Sequence, residues 1–273
     1  MDSRPQARDK TAGRLFRLTT GSRFDHWWWL VAVVALALLL LVTLEPDPYW
    51  RVLKFVRDGL LVTVTVTVIS FVFVLIVGML GGLGRLSKNR AINLLASLYV
   101  EVVRGIPLLV QLIWWYFAFP VIIQQLGRLL HFQAMVDYQA NAIVLAVIGL
   151  VFCYGAYMSE IYRAGIQSIP KGQMEAARSL GMSYFQAMRH VVLPQAIRVI
   201  LPPVGNEFIA LLKDSSLVSV VAVADLTRRG REFMSTHFNP IEVWTVVALL
   251  YLVMTLFSAR VVSWLEKKSK FER

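Results

Sequence analysis

The chain has 273 residues, of which 57% are hydrophobic and only 16% charged, and its mean hydropathy is +0.61. A soluble domain averages about 45–50% apolar and about 25% charged residues, so this composition excludes an ordinary water-soluble globule and belongs in a bilayer. The net charge of +11 does not point to nucleic acid as a partner, because the basic residues lie between and beyond the apolar runs rather than in one patch.

A hydrocarbon core of about 30 Å takes about 20 apolar residues as a helix, and six stretches approach or meet that length, which predicts an all-α membrane protein with six transmembrane helices. Residues 1–26 form a basic tail. Trp27 to Leu44 follows; it is longer than the ~7–15 residues of a signal-peptide core and no small-residue cleavage site comes after it, so a retained helix is expected. Residues 45–58 carry Arg51, Lys54 and Arg57 at helical spacing among Tyr49, Trp50, Leu53, Phe55 and Val56, which fits a short interfacial helix or a plain loop. Gly59 to Leu83 contains an alternating Val-Thr run that resembles a strand, but its length and the lack of a pairing partner in lipid favour a helix. Gly78 and Gly82 are spaced for close helix approach, a common feature of membrane helices.

Ala91 to Ile123 is the third stretch. It holds Glu101 and Arg104, three apart and able to pair, ahead of Gly105 and Pro107, where the missing amide predicts a break or kink. Asn141 to Ile161 contains the single cysteine, Cys153, a small packed side chain with no disulfide partner, and ends in Ser159 and Glu160. The hydrophilic insertion 163–194 comes next. Ile197 to Val223 carries Asn206, Glu207, Lys213 and Asp214, with Asn206 and Lys213 two turns apart on one face; Val243 to Leu265 and a tail, 266–273, complete the chain. The tryptophans at 27–29 and 114–115 read as interface anchors, and the four histidines have no metal-ligand spacing, so no metal is assigned.

Lys and Arg between the stretches set an orientation. One alternate set of segments carries 17 and the opposite set 7, with four more inside the stretches, so both termini and the insertion are expected in the cytoplasm. Within the insertion, Ile169-Pro170-Lys171 can open a helix and Gly181 is the residue type that ends one in the left-handed conformation. Ser183-Tyr184-Phe185-Gln186 then fits a capping box opening a second helix. The elbow between them would present Met182, Tyr184 and Phe185 as a docking surface or bury them against the chain itself.

The pattern Glu175-Ala176-Ala177, three residues, Gly181, nine residues, Val191, one residue, Leu193-Pro194 resembles the signature loop of permease subunits of type I ATP-binding-cassette (ABC) importers. Val191 stands where isoleucine is usual. Three neighbouring stretches resemble the polar amino-acid branch of that family, the histidine/glutamine/glutamate-type permeases: Tyr99-Val-Glu-Val-Val-Arg-Gly-Ile-Pro-Leu-Leu-Val-Gln111, Tyr157-Met-Ser-Glu-Ile-Tyr-Arg-Ala-Gly-Ile-Gln-Ser-Ile-Pro-Lys-Gly172 and Leu201-Pro-Pro-Val-Gly-Asn-Glu-Phe-Ile-Ala-Leu-Leu-Lys-Asp-Ser-Ser-Leu217.

The resemblance implies an extra N-terminal helix, 27–44, ahead of a five-helix transmembrane domain, 59–265, whose 163–194 loop couples to a separate ATPase dimer. Glu175, Ala176, Ala177, Gly181, Met182 and Tyr184 would form the coupling surface, Glu175 as polar contact or cap, the alanines allowing close approach, and Gly181 making the turn. The chain has no Gly-x-x-x-x-Gly-Lys-Ser/Thr phosphate loop, so ATP and Mg²⁺ are expected on the partner and no cofactor or catalytic residue is assigned here. A second permease subunit, identical or paralogous, an external substrate-binding protein and membrane lipid are the other implied partners, in a bacterial inner membrane.

Charges at membrane depth cost about 2.5–3.5 kcal/mol each on insertion scales and usually face a cavity or a partner. For a polar amino acid, Glu160 and Glu207 are candidate ammonium acceptors and Asn206, Arg104 and Lys213 candidate carboxylate donors, with Ser159, Glu101 and Asp214 beside them. The alternative is mutual pairing, Glu101 with Arg104 and Lys213 with Asp214. Glutamate, glutamine, aspartate or a broad range are the favoured cargoes. A secondary transporter driven by an ion gradient is the competing class, although no second copy of these motifs is present.

Overall fold

The computed structural model describes residues 28–269, so the basic tail 1–26, Trp27 and residues 270–273 lie outside the described residues. Twelve α-helices, two π-helical turns and one 3₁₀ segment make up the described part, with no strand among the described residues. Helix α1 is Trp28–Leu44 and packs on the last helix through an edge-to-face contact of Trp28 with Phe257, 6.2 Å between centroids. Of its residues only Val34 is buried, and its exposed leucines form an apolar outer face.

Helix α2, Pro46–Leu86, corrects the expected boundary at residues 45–58. That segment is neither a loop nor a separate interfacial helix. Beyond a kink at Asp47, whose backbone is not helical, it runs on into the second span without a break as far as Leu86, a length of nearly ~60 Å and so about twice the hydrocarbon thickness. The cause lies in its apolar side: Tyr49, Val52 and Val56 are buried against Leu226, Phe233, Val243 and Val247 of helices α11 (Leu226–His237) and α12 (Pro240–Ser269).

The third expected span divides. Helix α3, Arg90–Arg104, starts on the Asn89 side-chain cap and stops at Gly105-Ile106, just ahead of Pro107. Fifteen residues reach only about 22 Å, too short to cross alone. The crossing element is Leu108–Leu129, helices α4 (Leu108–Ile113) and α5 (Phe119–Leu129) joined by a π turn, Trp114–Ala118. A short helix α6, Gln133–Val136, precedes α7, Ala142–Gln167, which Asn141 caps. The fifth expected span is likewise re-drawn: α10, Leu193–Asp214, gives way to the 3₁₀ segment Ser215–Val221, and the segment expected as an outer loop is largely helix α11.

Among the described residues four helical elements, Leu108–Leu129 taken as one, are long and apolar enough to cross a membrane, while α1 is shorter and α10 carries Arg198, Glu207, Lys213 and Asp214. Helix α2 against α7 is the most extensive pairing in the fold. Gly78 and Gly82 make it possible: a side chain at Gly78 would overlap Met158, and one at Gly82 would come within 2.9 Å of the Ser159 carbonyl oxygen. Around this seam lies the main core, with Val66, Val74, Leu150, Met158, Leu211 and Val218 fully buried.

Candidate coupling elbow and polar pathway

Helix α8, Lys171–Ser179, starts directly after Pro170 and ends in a glycine elbow. Gly181 has φ +86°, its N–H donates to the Arg178 carbonyl at 3.0 Å, and the Met182 N–H donates to Ala177 at 3.2 Å. Those are the two reverse bonds of a Schellman motif, which needs a left-handed residue at this place. The Ser183–Gln186 capping box opens α9, Tyr184–Ala187: the Ser183 N–H donates to Gln186 Oε1 at 2.8 Å and the Gln186 N–H to Ser183 Oγ at 3.3 Å. A π turn, Met188–Val192, joins α9 to α10, with the Leu193 N–H bonded back to Met188. Pro194 follows it, as Pro120 follows the other π turn; a proline cannot donate the next i→i−4 bond, which favours a widened turn just before it.

Leu180, Tyr184 and Phe185 stand out from the elbow, 82%, 60% and 70% exposed, beside exposed Glu175 and Ala176. Met182 is half-buried. Ala177 corrects the expected coupling surface: it is buried against the chain's own following turn, because α8 packs back on that turn and the Gln195 amide donates to Gln173 across the two. Leu180 went unremarked in the sequence and is the most exposed apolar group of the elbow; its place beside a helix-ending glycine was the available signal.

Six charged groups from four helices gather into one cluster, while Lys213 and Asp214 stand apart from it. Glu160 of α7 accepts from Arg85 of α2 at 2.6 Å and pairs with Arg163 one turn on. Arg85 also meets Glu101 of α3 at 3.4 Å. The expected Glu101–Arg104 pair is not formed; Arg104 lies over the Tyr157 ring, 5.2 Å from its centroid, within electrostatic reach of both Glu160 and Glu207 of α10. Three cations therefore face three carboxylates. Glu160 is not a free acceptor, since two arginines occupy it, and Ser159 is fully buried, donating to the Gly155 carbonyl at 2.7 Å and wedged against Gly81 rather than lining a cavity.

On α10, Asn206 and Lys213 are both exposed along one side and Glu207 is half-buried. Asp214 does not pair with Lys213. It accepts from the buried Tyr154 hydroxyl at 2.7 Å, because adjacent helix residues point about 100° apart. Arg85, Arg163, Tyr154 and Tyr157 were passed over in the sequence, the first two because they read simply as loop cations at helix ends. At the far end of α2, Asp225 caps α11 through the Thr227 and Arg228 N–H groups and meets the Tyr251 hydroxyl at 3.3 Å; burial pushes its carboxyl above the usual range.

A helical multi-pass membrane protein with an exposed elbow loop of this signature and a charge cluster between its helices is built as a transport permease. The chain belongs to the family of binding-protein-dependent transport system inner membrane components, which matches residues 74–271. It is 35% identical over 221 residues to the glutamine transport system permease protein GlnP of Escherichia coli K12, covering 81% of this chain and 95% of that relative. It is 35% identical over 233 residues to the L-cystine transport system permease protein TcyB of Bacillus subtilis, covering 82% and 92%. It is 36% identical over 242 residues to the arginine transport system permease protein ArgU of Corynebacterium glutamicum, covering 83% and 75%. Among solved structures, an amino acid ABC transporter crystallised with histidines superposes with a TM-score of 0.71 at 38% identity, over 82% of this chain and 97% of that one. The inward-facing MetNI methionine transporter, at 21% identity and a TM-score of 0.59, shares the fold. The fold is thus that of a type I ABC importer permease, and permeases of this family in general work with an ATPase and a substrate-binding protein.

Proposed function

We propose that this chain is the pathway half of an importer carrying polar L-amino acids inward, with glutamine, glutamate and aspartate or a broad range as cargo. It pairs with a second permease subunit, receives substrate from an external binding protein, and is driven by a partner ATPase dimer that binds ATP and Mg²⁺. The elbow lies on the cytoplasmic side with both termini. Leu180, Tyr184 and Phe185 dock in the ATPase, Glu175 and Ala176 border the contact, and Gly181 holds the angle.

One observation carries this reading: the two helices that bear Glu160 and Asn206–Glu207 adjoin the elbow at its two ends. Helix α7, with Glu160, reaches α8 through three residues, and α9 passes into α10, with Asn206 and Glu207, through a π turn without a loop. A displacement of the elbow therefore moves the two sides of the cluster together with it. Glu207 receives the ammonium, Asn206 and Arg104 the carboxylate, while Arg85, Glu101, Glu160 and Arg163 close the cluster on the elbow side; Lys213 and Asp214 line the opposite end.

The test is uptake of labelled glutamine, glutamate, aspartate and arginine into proteoliposomes containing the permease with its ATPase and binding protein. ATP-dependent, vanadate-sensitive uptake that collapses in Glu207→Gln is expected. Uptake driven by a proton gradient without ATP would overturn the proposal in favour of a secondary transporter.

A further inference from the structure

At the end of the molecule away from the elbow, the first turns of α2 and helix α11 border an open surface cavity of about 580 Å³. Four cations line it, Arg51, Lys54 and Arg57 from α2 and Arg229 from α11, against a single carboxylate, Asp58. Arg229 is fixed: it donates to Asp58 at 2.6 Å, to Glu232 at 2.8 Å, and its guanidinium lies over the Phe55 ring at 5.9 Å. Arg51 meets Asp47 at 2.7 Å. Lys54 and Arg57 have no carboxylate partner among the described residues.

The distribution of charge along the chain sharpens this. Of the seven Lys and Arg in the segments assigned to the outer side, six fall in 45–58 and 224–242, and four of these line the hollow; the same segments carry six Asp and Glu, of which only Asp58 lines it. Arg51 and Arg229 are paired with carboxylates, so Lys54 and Arg57 are the two lining cations left without a carboxylate partner among the described residues, which suits the hollow to an anion. The cavity sits where α2 passes from its mixed segment into the apolar run starting at Gly59, and Trp50 and Phe55 are exposed on the same turns. With the span placed as proposed, that is about the depth of the phospholipid phosphates, with aromatic groups placed as interface anchors.

We infer that this cavity binds the phosphodiester of an anionic phospholipid in the outer leaflet, Lys54 and Arg57 contacting the phosphate and Arg229 closing the third side. This rests on the orientation given under the proposed function. The lipid would fasten the outer extension of α2 to α11.

The full chain, purified with its partner ATPase subunit, is placed in nanodiscs of phosphatidylcholine mixed with phosphatidylglycerol, and lipid retained on the extracted complex is counted by native mass spectrometry. The wild type is expected to retain phosphatidylglycerol about tenfold over phosphatidylcholine, a preference that Lys54→Glu/Arg57→Glu abolishes. Arg128→Glu, the outer cation away from the cavity, should keep it. Lys54→Gln, which removes a charge without adding one, should reduce it and serves if the double variant fails to fold. Equal retention of both lipids by the wild type would overturn the inference. Two other outcomes would also overturn it: inorganic phosphate bound in place of lipid, or a double variant that loses affinity for the external binding protein with lipid retention unchanged. The measurement uses no substrate and no ATP, so its failure leaves the importer reading standing, and ATP-independent uptake would leave the lipid result standing.

Discussion

Gly181 holds φ +86° with open space where a side chain would project, so a substitution there meets backbone strain and no steric clash. Left-handed backbone costs an ordinary residue about 1–2 kcal/mol, more for a β-branched one and less for asparagine. Gly181→Val is therefore expected to swing the elbow and lower ATP-driven uptake about tenfold or more while membrane insertion persists, and Gly181→Asn to retain most of it. Unchanged uptake in the valine variant, measured in proteoliposomes, would remove the coupling role. Asp225 makes a different prediction. Its folded-state pKa is raised by burial, so its contribution to stability is present at low pH, below the unfolded value, and is lost as pH rises through the raised one. Thermal unfolding in detergent should fall over that window in the wild type. Asp225→Asn, an equally good helix cap, should flatten the fall; an unaltered pH profile would count against the buried carboxyl as its source.

The pairing of α2 with α7 shows what an element needs from its sequence. Leucine at Gly82 would press on the Ser159 backbone at 2.9 Å, and such overpacking costs about 1–3 kcal/mol, so Gly82→Leu should lower the unfolding temperature of the purified chain while Gly172→Leu, with nothing near it, should not. Equal melting of the two would show that the seam tolerates separation. Elements with strong local signals were legible beforehand: the caps at Asn89 and Asn141 were not read, yet the Gly181 elbow and the Ser183–Gln186 box were, residue for residue. The break before Pro107 was also foreseen, but not that it leaves a helix too short to cross. What hydropathy missed was decided by tertiary packing. Residues 46–58 are helical in line with the span because Val52 and Val56 bury on α11 and α12, a partner no window of sequence contains. The same holds for the site: individual charges were visible, but Arg85 reaching Glu160 joins residues 75 apart.

Across the whole molecule, the cluster of Arg85, Glu101, Glu160 and Arg163 ties α2 and α3 to α7, with Arg104 and Glu207 of α10 within electrostatic reach of one another beside it. Glu160→Gln leaves two arginines without their shared carboxylate, so the two sides lose a common attachment. Uptake should drop about fivefold or more, with ATP hydrolysis by the partner persisting and no longer matched to transport. Tight coupling retained in that variant, read as amino acid moved per ATP hydrolysed, would mean the cluster plays no part in transmission. The π turn at Met188–Val192 adds a geometric consequence. Five residues in the wider π turn carry the chain about as far round as four in an α-helix, so if the same five were wound as ordinary α-helix, everything from Leu193 onward would rotate by about one residue's ~100° relative to the elbow. Glu207 would leave Arg104 and Asn206 would change sides, with no substitution in either the receiving surface or the pathway. The wide turn is thus a phase setting: winding five residues into it, where an α-helix would take four, determines which face of α10 stands toward the charge cluster.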